Sequence, residues 1–171
     1  YMKKTIGFAC DHAGFKLKNH LICFVEDMGY KTMNFGTNSE ESCDYPDFAH
    51  PLAEAVEAKK CDIGVSICGS GNGINMTVNK HQGIRSALCW NPEISKLARL
   101  HNDANICALP ARFIDNKTAE EILESWHQDF DKEFEVPLKK DTVILAMQEY
   151  AEEYYRERLR EKPKPYSCRS C

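Results

Sequence analysis

The stretch Asp62-Ile-Gly-Val-Ser-Ile-Cys68-Gly-Ser-Gly-Asn-Gly73 constrains the fold more than any other. An unbroken apolar run bounded by glycine reads as a strand buried on both faces, the habit of parallel strands in α/β proteins. The three glycines that follow permit a tight turn whose backbone N–H groups can come close to an anion. A thiol, Cys68, therefore stands between a central strand and a candidate cradle for a phosphate or an oxyanion.

The rest of the chain repeats the alternation. Strand-like segments fall near Thr5–Ala9, Lys31–Phe35, Ile63–Ile67, Ile84–Leu88 and Asn105–Leu109. Helical patterns lie between and after them, near Phe15–Met28, Asp47–Ala58, Gly73–Lys80, Pro92–Leu100 and Thr118–Phe130. Strands alternating with helices predict βαβ crossovers and a doubly wound, Rossmann-like α/β sandwich with a five-stranded parallel sheet. A later segment, about Thr142 to Lys162, carries Val143, Ile144, Met147, Tyr150 and Tyr154 on one side of a long C-terminal helix. That stripe suits self-packing or a dimer contact. No repeat is present, so residues 2–162 read as a single domain and the polar residues 163–171 as a disordered tail.

The 171 residues suffice for a full core without disulfide or metal staples. A formal net charge of −4 argues against nucleic acid as a partner, because such binders cluster Lys and Arg. Any bound phosphate is expected to be small. No apolar run is long enough to span a bilayer, and Tyr1–Thr5 leads straight into a strand-like segment without a signal-peptide pattern, so a cytoplasmic protein with no membrane contact is expected. The nine cysteines are scattered, several in apolar contexts where a free thiol behaves as a small hydrophobe. Cys168-Arg-Ser-Cys171 has redox or zinc spacing but no second ligand pair beside it, so no metal or other cofactor is expected.

In doubly wound folds ligands gather at the carboxyl ends of the strands. Asp11-His12 follows the first strand, Cys68–Gly73 the third, and Arg112 the fifth. Cys68 is either a base or nucleophile stabilised by neighbouring N–H dipoles, or a buried structural thiol. Gly69, Ser70, Gly71, Asn72 and Gly73 approximate a dinucleotide fingerprint, but Ile74 occupies the place of its third glycine. That weakens a nicotinamide reading and leaves a turn of donors, or simply a tight turn. Asp11 and His12 suit a sugar hydroxyl and a phosphate, or Asp11 caps the next helix. Asp44-Tyr45-Pro46 is a turn or a sugar-contacting loop. His101-Asn102-Asp103 ends a helix, where an imidazole serves as acid–base catalyst or as dipole partner. From there it reaches a site on a second subunit more easily than its own. Arg112 pairs with a phosphate or with a surface carboxylate.

Taken in order, Gly7-Phe-Ala-Cys-Asp11-His12-Ala-Gly14-Phe-Lys-Leu-Lys18, Gly36-Thr37, Asp44-Tyr45-Pro46, Ile67-Cys68-Gly-Ser-Gly-Asn-Gly-Ile74, Asn79-Lys80, Gly83-Ile-Arg85 and His101-Asn102-Asp103-Ala-Asn105 resemble ribose-5-phosphate isomerase type B, over about residues 3 to 130. The resemblance implies a metal-free aldose–ketose isomerase interconverting ribose 5-phosphate and ribulose 5-phosphate, working as a homodimer with shared sites, with a tetramer left open. It implies Cys68 as the base, His101 for ring opening, and Ser70 with the Gly69–Gly73 turn around the developing charge. Asp11 and Tyr45 become sugar contacts, His12 and Arg112 phosphate ligands, and Asn102 lies beside the turn. Ile74 marks the cysteine-base branch, since the other branch carries glutamate there.

One region departs from the pattern. The family usually carries a Gly-Gly-Arg-His segment and a second arginine four residues on, both serving the phosphate, whereas this chain reads Phe134-Glu-Val-Pro-Leu-Lys-Lys-Asp-Thr-Val143. Lysine replaces a bidentate arginine only as a point charge. Either Lys139 or Lys140 substitutes, or His12 and Arg112 hold the phosphate alone, or the substrate is a six-carbon aldose 6-phosphate. A non-catalytic sugar-phosphate binder is the remaining alternative.

Overall fold

A computed structural model of the chain describes residues 4–130. The expected C-terminal helix, the tail with Cys168 and Cys171, and Lys139 and Lys140 lie outside the described residues. Five strands, β1 Thr5–Cys10, β2 Lys31–Asn34, β3 Ile63–Cys68, β4 Ser86–Leu88 and β5 Ile106–Pro110, pair in parallel in the order β2-β1-β3-β5-β4. The helices are α1 Phe15–Asp27, α2 Pro46–Glu57, α3 Asn72–Val78, α4 Pro92–Asn102 and α5 Asn116–Phe130. This is the expected doubly wound sandwich.

The period-2 alternation of the strands sorts the core into two faces. Ile6, Phe8, Ile63, Val65, Ile67, Cys107 and Leu109 join Leu17, Leu21 and Val25 of α1, Ala98 of α4, and Ile122, Leu123 and Trp126 of α5. Ala9, Cys68 and Ile106 join Leu52 and Val56 of α2 and Ile74 and Val78 of α3. Cys68 therefore belongs to the α2/α3 face. On that face α2 packs unusually close, because a Cβ on Gly7 would lie 2.5 Å from Leu52 Cδ1 and one on Gly64 would lie 3.2 Å from it.

Element ends moved where backbone groups found partners that sequence pattern does not reveal. The edge strand β4 starts at Ser86 rather than Ile84. Arg85 just ahead of it donates its N–H to Asn105 Oδ1 at 2.8 Å, and Ser86 exchanges two hydrogen bonds with the Asn79 carboxamide, at 2.8 and 2.9 Å. Asn79 thus caps strand polar groups that an unpaired edge would expose. α2 opens on Pro46, the first-turn position proline favours. α4 runs on to Asn102 because Asp103 adopts the left-handed conformation (φ 48°) that closes a helix C-terminus. A one-turn 3₁₀ helix, His12–Gly14, precedes α1. On the far side of α2, His50 Nδ1 and His81 Nε2 share a hydrogen bond of 2.8 Å, and His81 Nδ1 lies 3.3 Å from Glu57 Oε2, tying α2 to the loop after α3.

Gly7 is retained for space, since its strand conformation is open to any residue. Gly7→Ala drives a methyl into fully buried Leu52, with the Cys61 thiol 3.0 Å away, and is expected to cost about 1–3 kcal/mol, the range for overpacking a filled core. Urea denaturation checks this. An unchanged midpoint would mean that α2 slides freely on the sheet.

Candidate active site

The strand order reverses between β1 and β3, and the loops leaving their carboxyl ends carry most of the candidate residues. Cys68 is the last residue of β3 and 4% exposed. The β3–β5 ladder pairs it with Pro110 and then continues beyond both strands: Ala111 N–H donates to Cys68 O and Arg112 N–H to Gly69 O, each at 3.0 Å. The Arg112 side chain consequently lies over Gly69, where an added Cβ would meet its Cδ and Nε at 3.3 Å.

The glycines of the turn have separate reasons. Gly71 is left-handed (φ 73°), and a Cβ there would sit 2.3 Å from Leu88 Cδ1 and 3.1 Å from the Leu109 carbonyl carbon. Conformation and space exclude a side chain together. Gly73 admits the Tyr45 ring: a Cβ would lie 2.6 Å from Tyr45 Cζ and 2.8 Å from its hydroxyl. Ser70 Oγ accepts from Asn72 N–H at 3.3 Å. The Asn75 N–H donates to Gly71 O, so the N–H groups just ahead of it precede the helical ladder of α3.

Across the reversal, Asp11 is 7% exposed and its N–H donates to Ile67 O at 3.1 Å, which joins the β1 exit to β3. Its Oδ1 accepts from Gly14 N–H at 3.1 Å, so the capping role foreseen for Asp11 is realised in the 3₁₀ turn. His12 Nδ1 lies 3.2 Å from both the N–H and the carbonyl oxygen of Cys43, which fixes the ring against the loop leading to Tyr45.

His101 and Asn102 are not brought to this place. They form the exposed last turn of α4, before β5 begins, whereas Cys68 sits beside Pro110 at the end of β5. The length of β5, four steps of about 3.3 Å or roughly 13 Å, separates the two ends of the sheet. Among the described residues, no group of three or more His, Cys, Asp and Glu side chains is arranged to hold a metal ion, and no helix is long and apolar enough to cross a membrane.

Sequence reasoning gave no role to Lys18, a titratable group with no exposed surface. Its Nζ donates to Asn34 Oδ1 at 2.6 Å, and the same oxygen accepts from Gly36 N–H at 3.0 Å. The Gly36–Thr37 segment then brackets Cys10, whose N–H donates to Gly36 O at 2.7 Å and whose carbonyl accepts from Thr37 N–H at 2.8 Å. A lysine repeated in the motif around Asp11-His12 was the available signal. Burial lowers the Lys18 ammonium from its ordinary pKa and pushes the Cys10 thiol up to about 11.

Burial likewise raises Cys61 to about 11 and lifts Cys107 well above the usual thiol range. Thiolate is the nucleophile, so iodoacetamide at pH 8 is expected to modify exposed Cys23 while Cys10, Cys61 and Cys107 stay unlabelled in the folded chain. Peptide mass mapping reads this, and early labelling of Cys107 would contradict it. Gly71→Ala is expected to lower stability by about 1–3 kcal/mol, as strained left-handed positions do, with a thermal melt as the measurement.

Comparison with known proteins gives the family to which this fold belongs. Residues 6–143 match the family model described as Ribose/Galactose Isomerase. The chain is 39% identical over 123 residues to ribose-5-phosphate isomerase B of Escherichia coli strain K12, covering 72% of this chain and 83% of that protein. A D-erythrulose-4-phosphate isomerase of Pectobacterium atrosepticum is 34% identical over 132 residues, covering 77% of this chain and 85% of that protein. The solved ribose-5-phosphate isomerase B of Clostridium thermocellum superposes with a TM-score of 0.72 at 44% identity, covering 72% of this chain and 84% of that one. By family model, sequence identity and superposition alike, this chain belongs to the ribose/galactose isomerase family.

Proposed function

We propose that the chain interconverts D-ribose 5-phosphate and D-ribulose 5-phosphate as a cytoplasmic aldose–ketose isomerase of the non-oxidative pentose phosphate pathway. The observation that carries the reading is the junction at the end of β3, where Cys68, the glycine turn and the Arg112 side chain over Gly69 come from two paired strands. A base, a set of backbone donors and a cation are the three elements that proton transfer next to a carbonyl on a phosphorylated sugar needs.

In this mechanism the Cys68 thiolate takes the proton from C2 of the open-chain aldose. The electron pair of that C–H bond forms the C1–C2 double bond, and the carbonyl pair moves onto O1 as a cis-enediolate. Ser70 and the N–H groups of the Gly69–Gly73 turn stabilise that charge. The O2 hydroxyl proton passes to O1, the C2 carbonyl forms, and Cys68 returns its proton to C1. Asp11 and Tyr45 hold sugar hydroxyls, with Asn72 beside them and Asn102 supplied, like His101, by a second copy of the chain, while His12 and Arg112 take the phosphate. His101 opens the furanose by removing the proton of the anomeric hydroxyl and delivering one to the ring oxygen as its bond to C1 breaks and the C1 carbonyl forms.

The sheet carries its own His101 at the end opposite Cys68, so the ring-opening imidazole comes from a second copy in a two-fold homodimer. The lack of arginine in residues 134–143 keeps chain length of the substrate open to measurement. Relatives named for five-carbon and for four-carbon sugar phosphates both occur.

Turnover of ribose 5-phosphate is expected to persist in EDTA and to fall at least about 100-fold in Cys68→Ala, the usual scale for losing a positioned base. Activity confined to allose 6-phosphate would move the reading to a six-carbon isomerase, and tight binding without turnover of either would make the chain a sugar-phosphate binder. Mixing Cys68→Ala with His101→Asn is expected to restore roughly a quarter of the unaltered activity, since half the dimers then carry one intact site of two. No recovery would mean that each site is built from one chain.

A further inference from the structure

We infer that Arg85 is the positioning residue for His101, acting on ring opening without touching the sugar; this rests on the isomerase reading above. Arg85 Nε donates to the Asn102 carbonyl, the residue after His101 in the last turn of α4. Last-turn carbonyls of a helix have no intrahelical donor and form the negative end of its dipole, so a guanidinium is the natural partner there. The His101 ring is exposed, and its placement is inherited from the backbone turn that carries it.

Arg85 is well suited to hold that turn, because its own backbone is fixed on both sides. Its N–H donates to Asn105 Oδ1 and its carbonyl accepts from Asn105 N–H, both at 2.8 Å. Asn105 Nδ2 reaches Gly83 O at 2.7 Å, and the Asn79 carboxamide holds Ser86. The segment ahead of β4 is therefore anchored to the sheet, and Arg85 extends that anchor to the end of α4. Arg99 secures the same turn from the other side, with Nη1 donating to Ala104 O and lying 3.7 Å from Asp103 Oδ1, but it ties the turn to the helix's own core beneath Trp126. Arg85 alone among these contacts ties it to the sheet edge. This also gives a role to the Asn79, Arg85 and Asn105 of the sequence motifs, which the chemical steps leave unassigned.

The test compares Arg85→Met and Arg85→Lys with the unaltered full chain on ribose 5-phosphate and on D-erythrulose 4-phosphate, whose phosphorylated C4 oxygen cannot close a ring. Arg85→Met is expected to lower kcat/KM for ribose 5-phosphate about tenfold, the scale of a small misplacement of a catalytic group, with less than about a twofold change on the four-carbon substrate. Arg85→Lys should fall between, since it keeps a donor but not the planar fork. In mixed dimers Arg85→Met should recover activity with Cys68→Ala and fail to do so with His101→Asn. Equal losses on both substrates, or recovery with His101→Asn, overturn the inference. Where the four-carbon substrate is not turned over, the mixed dimers decide; where Cys68→Ala and His101→Asn do not complement, the substrate comparison decides. A silent unaltered chain overturns the functional reading and the Arg85 role with it, whereas an active chain with the wrong pattern overturns Arg85 alone.

Discussion

The pairing of β3 with β5 does not stop where the strands stop, and the candidate site depends on that continuation. Cys68 is opposite Pro110, and two further hydrogen bonds, from Ala111 to Cys68 and from Arg112 to Gly69, carry the ladder into the loops. A parallel ladder fixes relative positions to a fraction of an ångström, because every N–H and C=O is committed along its length. The residues that carry a thiol, a turn of donors and a guanidinium are thereby placed by backbone geometry before any side chain chooses a rotamer.

Close approach is the second constraint. Gly71 lets the turn press onto the backbone of β5 at Leu109 and Pro110, Gly73 lets the Tyr45 ring lie against α3, and Gly7 and Gly64 let α2 settle on the sheet. Each glycine brings an element closer than a Cβ would permit. The resulting site has Tyr45 from the start of α2 and Asp11 from the end of β1 as neighbours of the β3 turn, so three separate segments of chain converge on one switch in strand order. Asp11 has a structural task there, its Oδ1 holding Gly14 N–H while its carboxylate stays at the carboxyl end of β1.

The polarity of the sheet imposes the third. In a βαβ fold each helix returns the chain from the carboxyl ends of the strands to their amino ends, so a residue ending a helix stands opposite a residue ending a strand. His101 and Cys68 are such a pair. No adjustment of side-chain rotamers closes that distance within one chain, and a catalytic scheme using both needs a second copy of the protein.

The sequence by itself determined the strand–helix alternation, the burial of Ile63–Ile67 on both faces, a glycine turn from Gly69, which closes into α3 already at Asn72, and the end of a helix near His101. These follow from local periodicity and from what glycine and asparagine permit, so a short window of chain contains the information. Even the capping function of Asp11 was legible, because its partner Gly14 is three residues away. Strand order, by contrast, only the tertiary structure decided, and with it the contact of Arg112 with Gly69, of Tyr45 with Gly73, of Lys18 with Asn34 and of Arg85 with Asn102. Those partners are 43, 28, 16 and 17 positions apart, and which of many polar groups a buried ammonium or a helix-end carbonyl meets depends on register between elements that no local pattern specifies.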